Sequence, residues 1–439
     1  MAFAVAVSML AGCKKTEDDS AETDSEISLN VITETTTLYF PELDDDHVYI
    51  TDEYGEYVTG VDGNVLTEPI VSESIPNILE AMTEAGVEAP PLELTPIATN
   101  ERYAYNTLTD AEKKLYDEIA SGVEDLRYKI CDEDAYTIEE WAKIYGLVYN
   151  QEPRLFYMSA KIKVGKLFYL TKDTNLINKM QKDIDAVVDK LVQEAAGKPT
   201  TFEKLKVFHD YLVLNSTFEL KDDVNGNYNT TIYNAFGSGA EQGNIQCQGY
   251  AKAMQYLCDR AGIKSMVVTG ETEKGQSHAW NVIDVDGSWY NLDCTWDDPI
   301  LSTPNYKNLR YAFFLVPDSW IHNITHMKVS QKKMSSGAYI TYFTPPACTD
   351  TAQNYFVKNG LVYNDKASAD EAIKAEIKRA AEDGSRSAHI MVGSKEVYDA
   401  IYGDRTSYNS YAKEFSGVKG VSDECRKDML IIEFDVIYN

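Results

Sequence analysis

The sequence predicts an α+β protein, and three observations predict it. Helical periodicity fills one stretch of the chain, two β-rich runs flank an Asp-Gly pair near its middle, and short strands alternate with helices at its end. At 439 residues the chain is too long for one ordinary core, so several domains are expected. Its 44% apolar and 25% charged residues fit a globular protein. No apolar run reaches the roughly 18 residues of a spanning helix. With 41 Lys and Arg against 70 Asp and Glu the net charge is -29, which repels phosphate backbones and argues against nucleic-acid binding. From Thr16 through Glu101 there are 22 acids and no Lys or Arg. The acidity therefore belongs to one N-terminal segment, and the rest of the chain is close to balanced.

Residues 1–13 read as the end of a lipoprotein signal. A short apolar run closes in Leu10-Ala11-Gly12-Cys13, which resembles the bacterial lipobox and makes Cys13 the expected lipidation site. No basic residue precedes the run. An exported, membrane-anchored bacterial lipoprotein is the expectation, with the lipid as its one contact with the membrane. Residues 14–100 read as an acidic linker: Thr16–Glu26 has almost nothing to bury, and Asp46–Val71 alternates enough to suggest a small β element.

Residues 101–200 read as helical. Thr109-x-x-Glu112 and Thr137-x-x-Glu140 are capping boxes. The first is followed at helical spacing by Leu115, Ile119, Val123, Leu126 and Ile130, the second by Trp141, Ile144, Tyr145 and Val148. A third stripe runs from Ile177 to Leu191 and ends at Gly197 and Pro199. Lys161–Leu170 looks more β-like.

Residues 201–345 carry the chemistry. Thr200-x-x-Glu203 opens a helix that turns His209 into the core, where a hydrogen-bonded structural histidine is the expected role. Asn244 to Gly262 reads as a polar loop entering a helix, with Tyr250, Ala251, Met254 and Leu257 on its buried face. Cys247 stands at the start of that helix, where backbone N–H groups and the dipole favour an anionic sulfur. Cys258, three turns on, is roughly 16 Å away along the axis and cannot serve the same site.

Ser277–Asp284 and Trp289–Trp296 flank Asp286-Gly287, a hairpin signal. Continuing that pairing sets His278 opposite Thr295 and Trp280 opposite Asp293. His278 and Asp293 then share a face as a diagonal pair, about 7–8 Å apart between backbones and within reach of their side chains. Cysteine, imidazole and carboxylate make a nucleophile–base–orienter set. The backbone N–H of Cys247 suits an oxyanion donor, and its neighbour Gln246 and the nearby Trp280 are further substrate or oxyanion candidates. Cys294 points away from Asp293 and has no assigned role.

Residues 350–439 read as a small α/β accessory domain. Lys358-Asn-Gly360 suggests a hairpin between Tyr355-Phe-Val and Leu361-Val-Tyr. Asp370–Glu382 and Glu396–Phe415 look helical, and Ala388–Val392 and Met429–Tyr438 look like strands. Cys131, Cys247, Cys258, Cys294, Cys348 and Cys425 permit disulfides without assigning any. There is no C-x-x-C, so neither a thioredoxin-type site nor a zinc ribbon is indicated. His322-x-x-x-His326 and Asp222-Asp-Val-Asn-Gly-Asn227 are weak as cation sites. The first lacks a third ligand, and the second lacks the closing Glu. No metal and no cofactor are expected.

Cys247-Gln-Gly-Tyr-Ala, Ala261-Gly-Ile263, His278-Ala-Trp-Asn281, Trp289-Tyr and Asp293-x-Thr-Trp-Asp-Asp-Pro299 together resemble the transglutaminase-like superfamily, in its bacterial cell-envelope branch. The resemblance implies a papain-like core with Cys247, His278 and Asp293 as its triad. One departure is Ile245, where many members have Gly two residues before the nucleophile. The implied reaction is acyl transfer at amide bonds of protein or peptide-containing envelope substrates, cell-wall peptide among them, through a thioester. A peptidase or amidase is favoured. A cross-linking transamidase and a non-catalytic surface scaffold are the alternatives. Sequence leaves the oligomeric state open.

Overall fold

The computed structural model describes residues 47–49, 67–69, 90–97, 102–219, 228–238, 242–272, 275–298, 309–321, 330–333 and 339–439. The Leu10–Cys13 motif expected to be lipidated, the acidic stretch Thr16–Glu26 and the motifs at 222–227 and 322–326 lie outside these residues. The chain divides into two units, Met1–Gly86 with Ser335–Ala338, and Val87–Met334 with Tyr339–Asn439. In the first, β1 (His47–Tyr49) pairs antiparallel with β2 (Thr67–Pro69), Val48 opposite Glu68.

The second unit begins with helices α1 (Tyr103–Asn106), α2 (Asp110–Glu124), α3 (Ile138–Gln151) and α4 (Thr174–Ala196). Both capping boxes form, each Thr side chain accepting the N–H of its Glu while the Glu carboxylate accepts the Thr N–H at 2.9 Å. The expected stripes are buried, but the first ends early. Leu126 adopts φ 53 and turns the chain, so Leu126 and Ile130 lie beyond the helix. Lys161–Leu170 forms no strand. Gly165, at φ 74, reverses it after a few residues, leaving the isolated bridges Lys163↔Lys166 and Met158↔Tyr169.

Next come α5 (Thr201–Asn215), β3 (Thr217–Phe218), α6 (Ile232–Phe236), β4 (Asn244–Ile245) and α7 (Cys247–Ala261), which stops at Gly262 with φ 70. Three antiparallel strands follow, β5 (Ser265–Glu271), β6 (Ser277–Val285) and β7 (Ser288–Leu292), with β6 in the centre. The register is the expected one, Val285 opposite Ser288 and Asn281 opposite Leu292. The pairing stops there. Cys294–Asp297 is a helical turn, α8, so Thr295 does not oppose His278 and Asp293 does not oppose Trp280. Asp293 caps that turn, which ends the ladder. Short α9 (Asp318–Ile321) and the pair β8 (Ser330–Lys333) and β9 (Tyr339–Phe343) complete this part.

One continuous apolar core joins α2, α3 and α4 to α5, α7 and the β5–β7 sheet. Arg102 reinforces the junction, reaching Glu152 and Asp259 at 2.9 Å each from a buried position. A buried pair of glutamines adds to it. Gln151 donates to the carbonyl of Val267, and Gln255 bridges Gln151 and Val267.

The C-terminal part comprises α10 (Tyr355–Lys358), β10 (Val362–Tyr363), α11 (Lys366–Asp383), β11 (Ser387–Val392), α12 (Lys395–Gly403), α13 (Arg405–Ala412), β12 (Val418–Asp423) and β13 (Ile431–Tyr438). Its sheet order is β10-β11-β13-β12. The expected hairpin at 358–360 is absent. Asn354 caps Tyr355–Lys358 as a helical turn, and Val362–Tyr363 instead runs parallel to β11. The helical run 396–415 breaks at Asp404, and β12 had no clear alternation to announce it. Residues such as Ile390, Val392, Ile432 and Phe434 pack one face of the sheet on the helices in a core of their own.

Candidate functional site

Two glycines shape the approach to Cys247. Gly243 turns the chain at φ 85, and a Cβ there would sit 2.8 Å from the carbonyl oxygen of Asn215. With the turn at 243, Ile245 is free to be a buried strand residue, which accounts for the departure noted above. At Gly249 a Cβ would lie 2.5 Å from the carbonyl oxygen of Asn229, so helix α7 comes this close to the turn at 228–230 only with glycine. The Gln246 N–H is spent on the same Asn229 carbonyl at 2.8 Å. That N–H cannot serve an oxyanion, and no side chain caps α7, which leaves its first-turn N–H groups facing the space beside Cys247. The half-buried sulfur packs on Ala251, Val267 and Ala279.

His278 stands on the central strand, buried and opposite Gly270. Its Nε2 lies 2.7 Å from Asp293 Oδ2. The other carboxylate oxygen accepts the backbone N–H groups of Thr295 at 2.9 Å and Trp296 at 3.2 Å. One oxygen thus caps α8 and the other holds the imidazole, which fixes the carboxylate at both ends. With Nε2 so occupied, Nδ1 is the ring nitrogen left for Cys247, the other group that acts on the charge of this imidazole. Burial alone would lower the basicity of this ring. The charge of Asp293, its hydrogen bond and the Cys247 sulfur outweigh burial and raise the imidazole from 6.5 to about 10.

Two indoles hold the ring. Trp280 stacks on it at 5.9 Å and 17°, and Trp296 meets it edge-on at 6.1 Å and 89°. Trp280 is buried and its N–H donates to Asn291 at 3.1 Å, so it is a wall of the site and not an oxyanion donor. Trp296 Nε1 lies 3.0 Å from His278 Nε2. A ring nitrogen holds one hydrogen bond, so in the charged ring Nε2 donates to Asp293 and Trp296 acts by packing. Asn281 donates to the carbonyl of Ala251 at 2.8 Å and ties β6 to helix α7.

The structure therefore brings Cys247, His278 and Asp293 together, leaves Gln246 beside them and sets Trp280 behind the ring. All six cysteines among the described residues are free thiols. Cys258 and Cys294 are buried, which pushes both thiols up and away from the anion. His209 is fully buried between Asp297, at 3.1 Å, and Asp210, at 3.3 Å. Burial opposes the charge on His209, but the two carboxylates outweigh it and raise its imidazole above the ordinary value. Asp298 accepts the Tyr250 hydroxyl, and burial pushes its carboxyl up to about 7. Among the described residues no group of three His, Cys, Asp or Glu is placed to hold a metal.

Sequence reading missed Trp296, Asn281 and the segment 310–316. The first two stand inside the motifs already noted and were legible as neighbours. Phe313 was not. Its carbonyl accepts the Asp293 N–H at 3.1 Å and its N–H reaches Asp297 Oδ1 at 3.0 Å, across a gap no local pattern spans.

Comparison with known proteins finds likeness over part of the chain. Residues 189–294 match the family model described as the transglutaminase-like superfamily, and that interval holds all three residues. This α+β chain thus carries a transglutaminase-like core. The Kyphoscoliosis peptidase of Homo sapiens is 34% identical over 72 residues, which are 14% of this chain and 11% of that protein. The chain thus spans about a tenth of that curated relative. A crystal structure of a TGase is similar at 20% identity over 28% of this chain and 33% of its own, with a TM-score of 0.23. A putative cysteine protease from Cytophaga hutchinsonii is similar at 17% identity over 28% and 43%, with a TM-score of 0.20.

Proposed function

We propose that this protein is a thiol acyl-transfer enzyme that hydrolyses amide bonds in peptides or peptide-containing polymers, with Cys247 as nucleophile, His278 as acid–base and Asp293 as orienter. The observation that supports it most is the convergence at His278: one ring nitrogen lies 2.7 Å from a twice-anchored carboxylate, and the ring's charge is also favoured by a cysteine at a helix start. A histidine raised to about 10 is charged at neutral pH and so holds a proton to give to a leaving amine.

In the reaction, the Cys247 sulfur attacks the carbonyl carbon and the carbonyl oxygen takes up the negative charge. The first-turn N–H groups of α7, which no side chain caps, are the donors proposed for that charge. The tetrahedral adduct collapses to a thioester as the C–N bond breaks, and His278 delivers its Nδ1 proton to the leaving amine. Nδ1 then takes a proton from water, whose oxygen attacks the thioester. The products are a carboxylic acid and the regenerated thiolate–imidazolium pair. Asp293 keeps Nε2 protonated and the ring in place throughout.

We read the chain as exported and lipid-anchored, on Leu10-Ala11-Gly12-Cys13, which makes envelope peptides the first substrates to try. The test is a panel of peptide amides and cell-wall stem peptides with wild type, Cys247→Ser and His278→Ala, with and without added amine. New carboxyl termini or released ammonia, abolished in both variants, is the expected result. Amine incorporation in place of hydrolysis would make the enzyme a transamidase. No turnover, together with equal iodoacetamide labelling of Cys247 in wild type and His278→Ala, would refute the catalytic reading.

A further inference from the structure

The C-terminal sheet buries one face on its helices and turns the other toward the segment 310–316, which also brackets the turn that begins at Asp293. On that second face, His389 lies opposite Glu433 and Met391 opposite Ile431. Two kinds of contact join it to the core. Arg310, fully buried, reaches Asp435 at 2.6 Å and Glu433 at 3.4 Å. Phe313 packs in an apolar cluster with Met391, Met429 and Ile431.

Phe313 is the joint of this interface. Its backbone holds both ends of the acid's turn, through the Asp293 N–H and Asp297 Oδ1. Its ring lies 5.6 Å from the Trp296 ring on one side, and the Arg426 guanidinium lies 4.9 Å over it on the other. Trp296 in turn touches the His278 ring. Three side chains, Arg426, Phe313 and Trp296, therefore run in van der Waals sequence from the connection between β12 and β13 to the imidazole. Arg426 is itself steered by Glu433, 3.7 Å away, which also faces Arg310.

We propose that Phe313 and Arg426 are positioning residues, through which the C-terminal sheet sets the orientation of Trp296 and hence of His278. The C-terminal part then belongs to the catalytic apparatus. The proposal rests on His278 being the acid–base of the site, but its test is read without substrate.

Among the described residues, the titratable groups that act on His278 include Asp293 and Cys247, with the two indoles and Gly270 around the ring. The experiment follows the His278 ring by NMR across the alkaline range in wild type, Phe313→Leu, Arg426→Gln, Arg426→Lys and the double variant Phe313→Leu/Arg426→Gln. Ile401→Val, in the separate C-terminal core, is the control for a loss of stability alone. The titration midpoint is expected to fall by about half a pH unit or more in Phe313→Leu and by less in Arg426→Gln. Arg426→Lys should restore it, Ile401→Val should leave it in place, and the double variant should fall no further than Phe313→Leu, because Arg426 acts through Phe313. Where turnover is found, kcat should fall about three- to ten-fold with KM little changed. An unshifted midpoint in folded Phe313→Leu and Arg426→Gln, additive shifts, or an equal shift in Ile401→Val would overturn the proposal. A protein with no turnover but with the expected shifts would refute the catalytic reading and leave the coupling standing.

Discussion

Replacing Asp293 with Asn changes one charge and almost no volume. Asn keeps an oxygen that can cap the turn at Thr295 and Trp296, so the fold around it should hold. What it loses is the negative charge 2.7 Å from His278 Nε2. Burial pushes the imidazole down, and Asp293 is the first of the groups that push it up, ahead of Cys247. A rise from 6.5 to about 10 corresponds to about 5 kcal/mol of preference for the charged ring, a ceiling because the sulfur supplies part of it. The folded value lies above the unfolded one. The associated stability is therefore complete below about 6.5 and is lost as pH rises through about 10. In Asp293→Asn the midpoint should drop toward or below 6.5, so that at pH 8 the ring is neutral and the thiolate has lost its partner. The assay is His278 ring NMR against pH, run beside iodoacetamide kinetics at Cys247. Wild type should keep a charged ring to about pH 10, while the variant loses it near neutrality and turns over about 100- to 10,000-fold more slowly. A midpoint that stays near 10 in the variant would refute the reasoning, because another group would then be holding the proton.

Four further outcomes follow from the same geometry. Iodoacetamide at neutral pH should label Cys247 well ahead of the other five described thiols, with Cys258, Cys294 and Cys348 reacting only after unfolding, as peptide mapping would show. Asp297→Ala should cost about 3 kcal/mol in a denaturant titration, since it leaves the buried His209 with Asp210 alone and takes the Asp297 acceptor from the Phe313 N–H. Trp280→Phe keeps the stack on His278 but leaves Asn291 without its indole donor, and should lower stability by about 1–2 kcal/mol with activity largely kept. Asp298 is a carboxyl raised to about 7, so its ionisation weakens the fold as pH rises from about 4 to 7. Asp298→Asn should therefore gain stability on wild type between about pH 5 and about pH 8, measured as the difference in melting temperature.

The parts of the fold that were legible from sequence are those with local causes. Two Thr-x-x-Glu boxes announced α2 and α3, and the Asp286-Gly287 turn set the β6–β7 register on which His278 depends. Cys247 was legible as a helix start because the polar loop before it and the apolar face after it meet there. The errors arose where a side chain overrode the pattern. Asp293 caps a helical turn and so ends the strand at Leu292, three residues before Thr295, while still delivering its carboxylate to His278. Asn354 does the same to the Tyr355–Lys358 segment, converting an apparent hairpin arm into a helical turn. Phe313 and Arg310 were beyond reach for another reason. Their roles come from contacts with residues more than a hundred positions away, and nothing in their own neighbourhoods marks them.

The central claim is that Cys247 accepts an acyl group with the help of His278. The direct measurement is to mix the protein with p-nitrophenyl acetate at neutral pH, quench in acid and map the acetyl group by mass spectrometry. The account predicts one acetyl on Cys247, formed and then lost to water in wild type, and not detectably formed in His278→Ala. Acetyl spread over Cys131, Cys425 and surface lysines, or carried by Cys247 equally in both proteins, would contradict it.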